Sequence, residues 1–436
     1  MTKHRAQRLA VWVLLALPAF LAFNFVYRFG VNVLSGDDWE LVPLIDKWFA
    51  GGVSFDELFA QHNEHRFFFP RLVMLLSASA LDFNSHALMF MSWLLMLLVA
   101  ALLFAEHRST FGKSSASMLQ WVPIAWLLFS ARQYENWLWG WQIGFFMCVV
   151  SFVAAAMLLQ TSDRGAWRFP LAVGCAVVST YTVGGGLGVW PAGVAQLIVL
   201  HFLRRKALGN KHLIHLGLWC AVAALAAGLY VRGLRSNPAH PDPAYVAHHP
   251  LEGLRFFVAA LGGPFSHFVD GALAAGTVLC VVGIAVLVVW RKGDLDLNRA
   301  SFAVPFCVFG ATFVALITIG RGGWGPASGL SSRYTTLIAL FAVGVHRAAS
   351  SVRTERLRAA LGGVLVCMTV SCLAAFFQES YALGFQSKDY HRTNAELLRD
   401  WRNRSDEELR RLYPAPAVVR ERAPIMERHR INVFAK

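Results

Sequence analysis

Apolar runs recur along most of the chain, each close to the ~20 residues that cross a bilayer, and short polar stretches separate them. Runs at roughly 9–29, 86–105, 117–131, 142–160, 169–184, 187–203, 213–230, 269–290, 302–320, 333–347 and 358–378 predict about eleven membrane-spanning helices. Helices are expected rather than sheets, because an open sheet cannot satisfy its backbone in lipid. The pattern therefore predicts an all-α, polytopic transmembrane helical bundle. One further run, Phe67 to Leu81, is short for a span and contains Pro70 and Arg71. We read it as an interfacial or re-entrant juxtamembrane helix, since a crossing here would invert every later loop.

The polar stretches divide the chain. Residues 1–378 make a transmembrane domain, with a first long outward loop at 31–85 and a second at 231–268. Residues 379–436 form a polar outward tail with Pro414 and Pro416. Asn237 to Pro243 reads as a rigid turn region, and Leu251–Leu261 as a second interfacial helix. No internal repeat or low-complexity tract is present.

Composition narrows the class. The chain of 436 residues is 56% hydrophobic and 15% charged, which excludes a disordered protein and an ordinary soluble domain. A net charge of +14 would suggest nucleic acid in a soluble protein. Here topology accounts for it. Arg108, Lys113, Arg164, Arg168, Arg204, Arg205, Lys206, Lys211, Arg291, Lys292, Arg299, Arg353 and Arg356 fall in alternate loops, whereas 132–141 and 185–186 hold only Arg132. The first set is cytoplasmic by the positive-inside rule, with the N-terminus. The Asp37 loop and the tail face the other side. No basic-aromatic module appears, so no nucleic-acid partner is expected. Lys3, Arg5 and Arg8 precede an apolar run from about Leu9 to Tyr27, which reads as an uncleaved signal anchor. Cys148, Cys175, Cys220, Cys280, Cys307, Cys367 and Cys372 all sit in apolar runs with no Cys-x-x-Cys spacing, as small packing residues do.

Candidate chemistry gathers in the outward loops. Asp37 and Asp38 follow the first span, beside Trp39. Adjacent carboxylates could act as a general base or hold a divalent cation, or Asp38 could cap a helix. The same loop closes with His62, Glu64, His65, Arg66 and Arg71. If 61–71 is helical, His62, His65 and Arg66 share a face able to meet sugar hydroxyls or phosphate. Zinc is disfavoured beside Arg66, and the arginines could instead anchor to headgroups. In the next outward loop Arg132, Gln133, Glu135, Asn136 and Gln142 interleave with Trp137, Trp139 and Trp141. That mixture suits sugar recognition as well as it suits an interfacial aromatic belt. Thr182 to Gly188 lacks the context of a nucleotide loop and reads as a tight turn of close backbone approach. Arg321, Arg333 and Tyr334 break the positive-inside pattern, and phosphate is a fitting partner for both arginines. His240, Asp242, His248 and His249 have no metal-ligand spacing and read as loop residues. No nucleophile elbow, Walker loop, zinc pattern or haem pair is present.

One span, an outward loop opening on Asp37-Asp38, a juxtamembrane helix, about ten more spans and an outward tail: this arrangement resembles the GT-C superfamily of membrane glycosyltransferases. That group includes protein O-mannosyltransferases and the lipid A aminoarabinose transferase. His62–Arg71, Gly320-Arg321, Ser332-Arg333-Tyr334 and the tail from Leu412 to Phe434 also look similar to bacterial membrane proteins of this type. The resemblance implies an inverting transfer from a polyprenyl-phosphate-linked sugar, at the periplasmic face of the inner membrane, to a cell-envelope glycan or lipid such as lipopolysaccharide. Asp37 or Asp38 would deprotonate the acceptor, and Arg321 and Arg333 would steady the leaving phosphate. The Asp-Asp pair departs from the Asp-Glu common in protein mannosyltransferases, and no large outward domain is present. A transporter or flippase of lipid-linked glycans would need ionisable residues near mid-span, which the runs nearly lack. A polymerase would usually rely on a large later loop.

Overall fold

The computed structural model describes residues 3–235 and 237–435. Side chains 3, 4, 6–8 and 372–378 are outside that description, and with them the readings on Lys3, Arg8 and Cys372. Helices dominate, and the one sheet among the described residues is a two-stranded hairpin, Gln61–His62 with His65–Arg66. The chain is a helical, multi-pass membrane protein. Six of its cysteines are free thiols.

Among the described residues, seven helices are long and apolar enough to cross a membrane. They lie at Leu9–Phe29, Ser85–Phe111, Gly140–Gln160, Gly184–Leu208, Lys211–Val231, Val269–Arg291 and Val304–Trp324. Seven among the described residues does not establish the expected count of about eleven. Ser115–Leu128, Arg168–Thr180 and Thr335–Ser350 have 14, 13 and 16 residues. At ~1.5 Å per residue they cover about 20–24 Å, short of a ~30 Å hydrocarbon core. Phe68–Ala80 is another 13-residue helix of this kind. The last expected span continues without a break as one 45-residue helix, Glu355–Arg399. The second long loop does contain a helix, Pro250–Gly262, packed along Val269–Arg291.

Local signals set the helix ends. Asn84 accepts the amide of Ala87 to start Ser85–Phe111, and Gly112, at a φ of 88°, stops it. Thr335–Ser350 is buried along nearly its whole length, between Val304–Arg321 and the other helices that pack on it. It carries Arg347, fully buried between the rings of Phe111 and Phe302 and ion-paired with Glu106. Burial of that guanidinium is tolerable because a carboxylate answers it. Lys211–Val231 is the opposite case. Only 17% of its most apolar window is buried, so its leucines face outward to the solvent that suits them, lipid.

The tail folds back on the start of the chain. Asn432 donates to Asn32 Oδ1 (2.9 Å), Phe83 O (2.9 Å) and Ser85 Oγ (3.1 Å), and its backbone N–H reaches Asp82 O at 2.6 Å. Asp82, Phe83 and Asn432 all hold positive φ, so three unfavourable backbone conformations meet at one node. Replacing Asn432 by Ala should cost about 1–3 kcal/mol through the donors and acceptors left unmatched. We expect a lower thermal midpoint in detergent and earlier proteolytic release of the tail. An unchanged midpoint and cleavage rate would mean the node does not hold the tail.

Candidate functional site

Gly36 begins the acidic segment at a φ of 51°, and a Cβ there would sit 3.0 Å from the Trp139 ring. Only glycine fits both demands. The chain then turns through a 3-10 segment, Gly36–Leu41, which sends the two carboxylates in different directions. Asp38 is buried, and its Oδ2 accepts Ser35 N (3.0 Å) and Trp139 Nε1 (3.1 Å). Burial pushes its carboxyl up to about 7, although both hydrogen bonds act against it. Asp37 is half-buried and faces His62, with Oδ2 3.2 Å from His62 Nε2. Burial raises its carboxyl too, but the His62 hydrogen bond and the charges of His62, Arg333 and His65 outweigh it, and the net shift is downward. The two neighbouring carboxyls are thus shifted in opposite directions, the pattern of paired acids with distinct roles.

The segment expected to be helical, 61–71, is a hairpin as far as Arg66, and this corrects the shared-face reading. Asn63 takes a φ of 48° and turns the chain, so His62 stands opposite His65 and Gln61 opposite Arg66. Opposed residues share one face of the pair, and neighbours in sequence alternate. The histidines therefore go one way and Arg66 the other. Arg66 Nε donates to Tyr230 O (3.1 Å), and its other nitrogens reach Phe59 O and Arg232 O. It closes the C-terminal end of Lys211–Val231, where carbonyls lack partners and cations are favoured. Arg71 likewise donates to the carbonyls of Leu58 (2.9 Å) and Ala60. Neither guanidinium joins Asp37.

His65 Nδ1 accepts the amide of Gly184 at 3.0 Å. Burial holds its pKa down, with Glu64 pulling the other way. The glycine loop does approach other backbone closely: a Cβ on Gly186 would lie 1.8 Å from Ser179 O. Glu64, at the hairpin turn, pairs with Arg321. Burial raises the Glu64 carboxyl, yet His65, Arg321 and His240 outweigh it and lower it overall. Arg321 also donates to His240 Nδ1 (3.0 Å) and lies over the Trp324 ring. His240, read as a loop residue, thus belongs to this cluster. Arg333 differs from Arg321: its Nε reaches Ser331 Oγ at 3.4 Å, and among the described residues no carboxylate pairs with it.

The 132–142 loop holds Arg333 from behind. Asn136 Nδ2 donates to Arg333 O (2.9 Å) and Thr336 Oγ1 (2.6 Å), Glu135 accepts Ser332, and Arg132 donates to Leu330 O. Trp137 is core, its Nε1 bonded to Ser130 O at 3.1 Å. Trp39 and Gln142 are buried too, and Tyr334 packs edge-on against Phe313. Trp141 stacks on Phe67 at 4.6 Å, so these tryptophans form neither a lipid belt nor a free stacking platform. A second polar pair lies elsewhere, where His267 Nε2 stands 2.6 Å from Glu379 of the long helix Glu355–Arg399.

Beside His62 an open cleft of about 230 Å³ is lined by Glu40, Leu41, Pro43, Leu44, Lys47, Glu57, Ala60, Arg71 and Trp141. Among the described residues no three His, Cys, Asp or Glu side chains group as a metal site would. Sequence reasoning missed Tyr230, read His240 as a loop residue only, and gave Trp139 and Gly184 no link to the acidic loop or to His65. The chain matches no family model, no curated protein and no solved structure.

Moving the Asp38 carboxyl from 3.8 to about 7 disfavours its ionised form by on the order of 4 kcal/mol. Below pH 3.8 folded and unfolded chains both carry the proton and nothing is lost. Between 3.8 and about 7 only the unfolded chain ionises, so this group lowers stability as pH rises, and above 7 the loss is constant. Asp38→Asn keeps an oxygen for both donors. Its thermal midpoint should pull ahead of wild type between pH 4 and 8. A pH-independent difference would refute the raised carboxyl.

Proposed function

We propose that the chain is an inverting glycosyltransferase of a bacterial inner membrane. It moves a sugar from a polyprenyl-phosphate carrier to a hydroxyl of a cell-envelope glycan or lipid at the periplasmic face. The observation that carries this reading is an Asp37 held ionised by His62, which lines an open cleft, and by the charge of Arg333, a guanidinium that pairs with no carboxylate among the described residues. A phosphate ester is the natural complement of that guanidinium. The distribution of Lys and Arg along the sequence favours this face as the periplasmic one.

In this reading the acceptor hydroxyl attacks the anomeric carbon and the bond to phosphate breaks on the opposite side. The electron pair leaves on the phosphate, where Arg333 stabilises the growing charge. Fixed cations contribute most where charge develops during reaction. Arg321 can add its charge once phosphate competes with Glu64 for it. The Asp37–His62 pair receives the acceptor's proton. Membrane lipids and the carrier's prenyl chain are the partners, and no step calls on a resident cofactor. Transport is favoured less, because the buried Arg347–Glu106 pair stands near the C-terminal ends of its two helices.

The test is deletion of the gene and mass spectrometry of the envelope glycans. Wild type and Asp38→Asn should restore a missing sugar. Asp37→Asn and Arg333→Ala should lower transfer by about 10²–10³-fold. Unchanged glycans in the deletion strain would sink the transferase reading, and full rescue by well-expressed Asp37→Asn would remove Asp37 from the site.

A further inference from the structure

We infer that His62 takes the proton from the acceptor hydroxyl, and that Asp37 is the residue positioning it. The inference rests on the transferase reading above. Three observations on His62 carry it. First, His62 lines the open cleft and Asp37 is not among the lining residues. A hydroxyl seated there meets the imidazole before the carboxylate. Second, Asp37 Oδ2 lies 3.2 Å from Nε2, closer than the neutral Asn63 Nδ2, a donor 3.3 Å away that alone would favour the other tautomer. An ionised carboxylate selects the tautomer with hydrogen on Nε2, which leaves the lone pair on Nδ1. Third, Nδ1 has no hydrogen-bond partner among the described residues. The opposed His65 has spent the same nitrogen on Gly184 N, so the two histidines of the hairpin are not equivalent.

The ring is also held in place. Its centroid stands 4.9 Å from that of Trp141, which itself stacks on Phe67, and the hairpin backbone is anchored through Arg66. A base that must accept a proton at a defined atom needs that rigidity.

The step balances without a further reactant. The acceptor oxygen bonds to the anomeric carbon as the bond from that carbon to the phosphate oxygen breaks. The phosphate keeps the electron pair, and the acceptor's proton moves to Nδ1. The resulting imidazolium faces the Asp37 carboxylate, which stabilises it as an orienting carboxylate does in other base pairs. Water then removes the proton.

The test uses permeabilised membranes of the deletion strain carrying each full-length variant. The donor is the polyprenyl-phosphate sugar fraction extracted from the parent strain. His62→Ala should transfer sugar about 10²–10⁴-fold more slowly, and added imidazole should restore part of the rate. His62→Gln should be slow and insensitive to imidazole, because the amide fills the space. Asp37→Asn should be slow and likewise not rescued. If wild type transfers sugar and His62→Gln keeps its rate, the inference is overturned and the transferase reading stands. A His62→Ala protein with the wild-type thermal midpoint that imidazole does not restore also overturns it. Failure of wild type itself to transfer would bring down the reading beneath.

Discussion

The arrangement depends on how one buried guanidinium, Arg66, is satisfied. Its nitrogens go to carbonyls at the C-terminal end of Lys211–Val231 and to Phe59. Those carbonyls would otherwise lack partners, and a buried cation without acceptors would be strongly unfavourable. Each therefore stabilises the other, and together they pin the hairpin to a helix distant in sequence. Because side chains alternate along a strand, fixing Arg66 on one face fixes His62 and His65 on the other. Tyr230 adds a second tie, its hydroxyl donating to Glu64 O at 2.8 Å.

The same balance of burial against partners separates the two aspartates. They are adjacent in sequence and similar in composition, yet one is enclosed with two neutral donors and the other faces an imidazole and two further basic groups. Desolvation wins for Asp38, and nearby positive charge wins for Asp37. The result is a protonatable acid that shapes the turn and an ionised acid that faces the cluster. Arg321 and Arg333 divide similarly: Glu64 already answers the first, while the second keeps its charge available.

Around this centre, polar groups hold backbone. Arg132, Glu135 and Asn136 clasp the segment from Leu330 to Thr336, and the tail clasps the acidic loop. Arg422 donates to Trp39 O at 2.7 Å and Tyr413 to Glu40 at 2.6 Å, some 380 residues from their partners. Burial and the Glu40 bond push the Tyr413 hydroxyl up to about 12, the bond being the larger cause, so it stays a donor. Much of what looks like ligand chemistry in the sequence is thus the bundle satisfying its own loops.

By itself the sequence determined the class of the protein, a helical membrane bundle with its charged and aromatic residues concentrated in a few loops. Hydropathy and length suffice for that, because lipid tolerates only backbone that satisfies itself. The mixed-charge loop 36–66 and the arginine-bearing loop 321–334 were legible on the same ground. Which apolar runs form short enclosed helices was not, since residues such as those of Thr335–Ser350 are as apolar in a helix enclosed by protein as in one facing lipid. The roles of single polar residues were not legible either. A hydrophobic pattern has no period in a six-residue hairpin, and Asn63 alone decides whether Arg66 joins the histidines or leaves them. Only tertiary structure set Asp37 against His62 and buried Asp38 under Trp139, because the partners come from 25 and 101 residues away and their charge depends on what surrounds them.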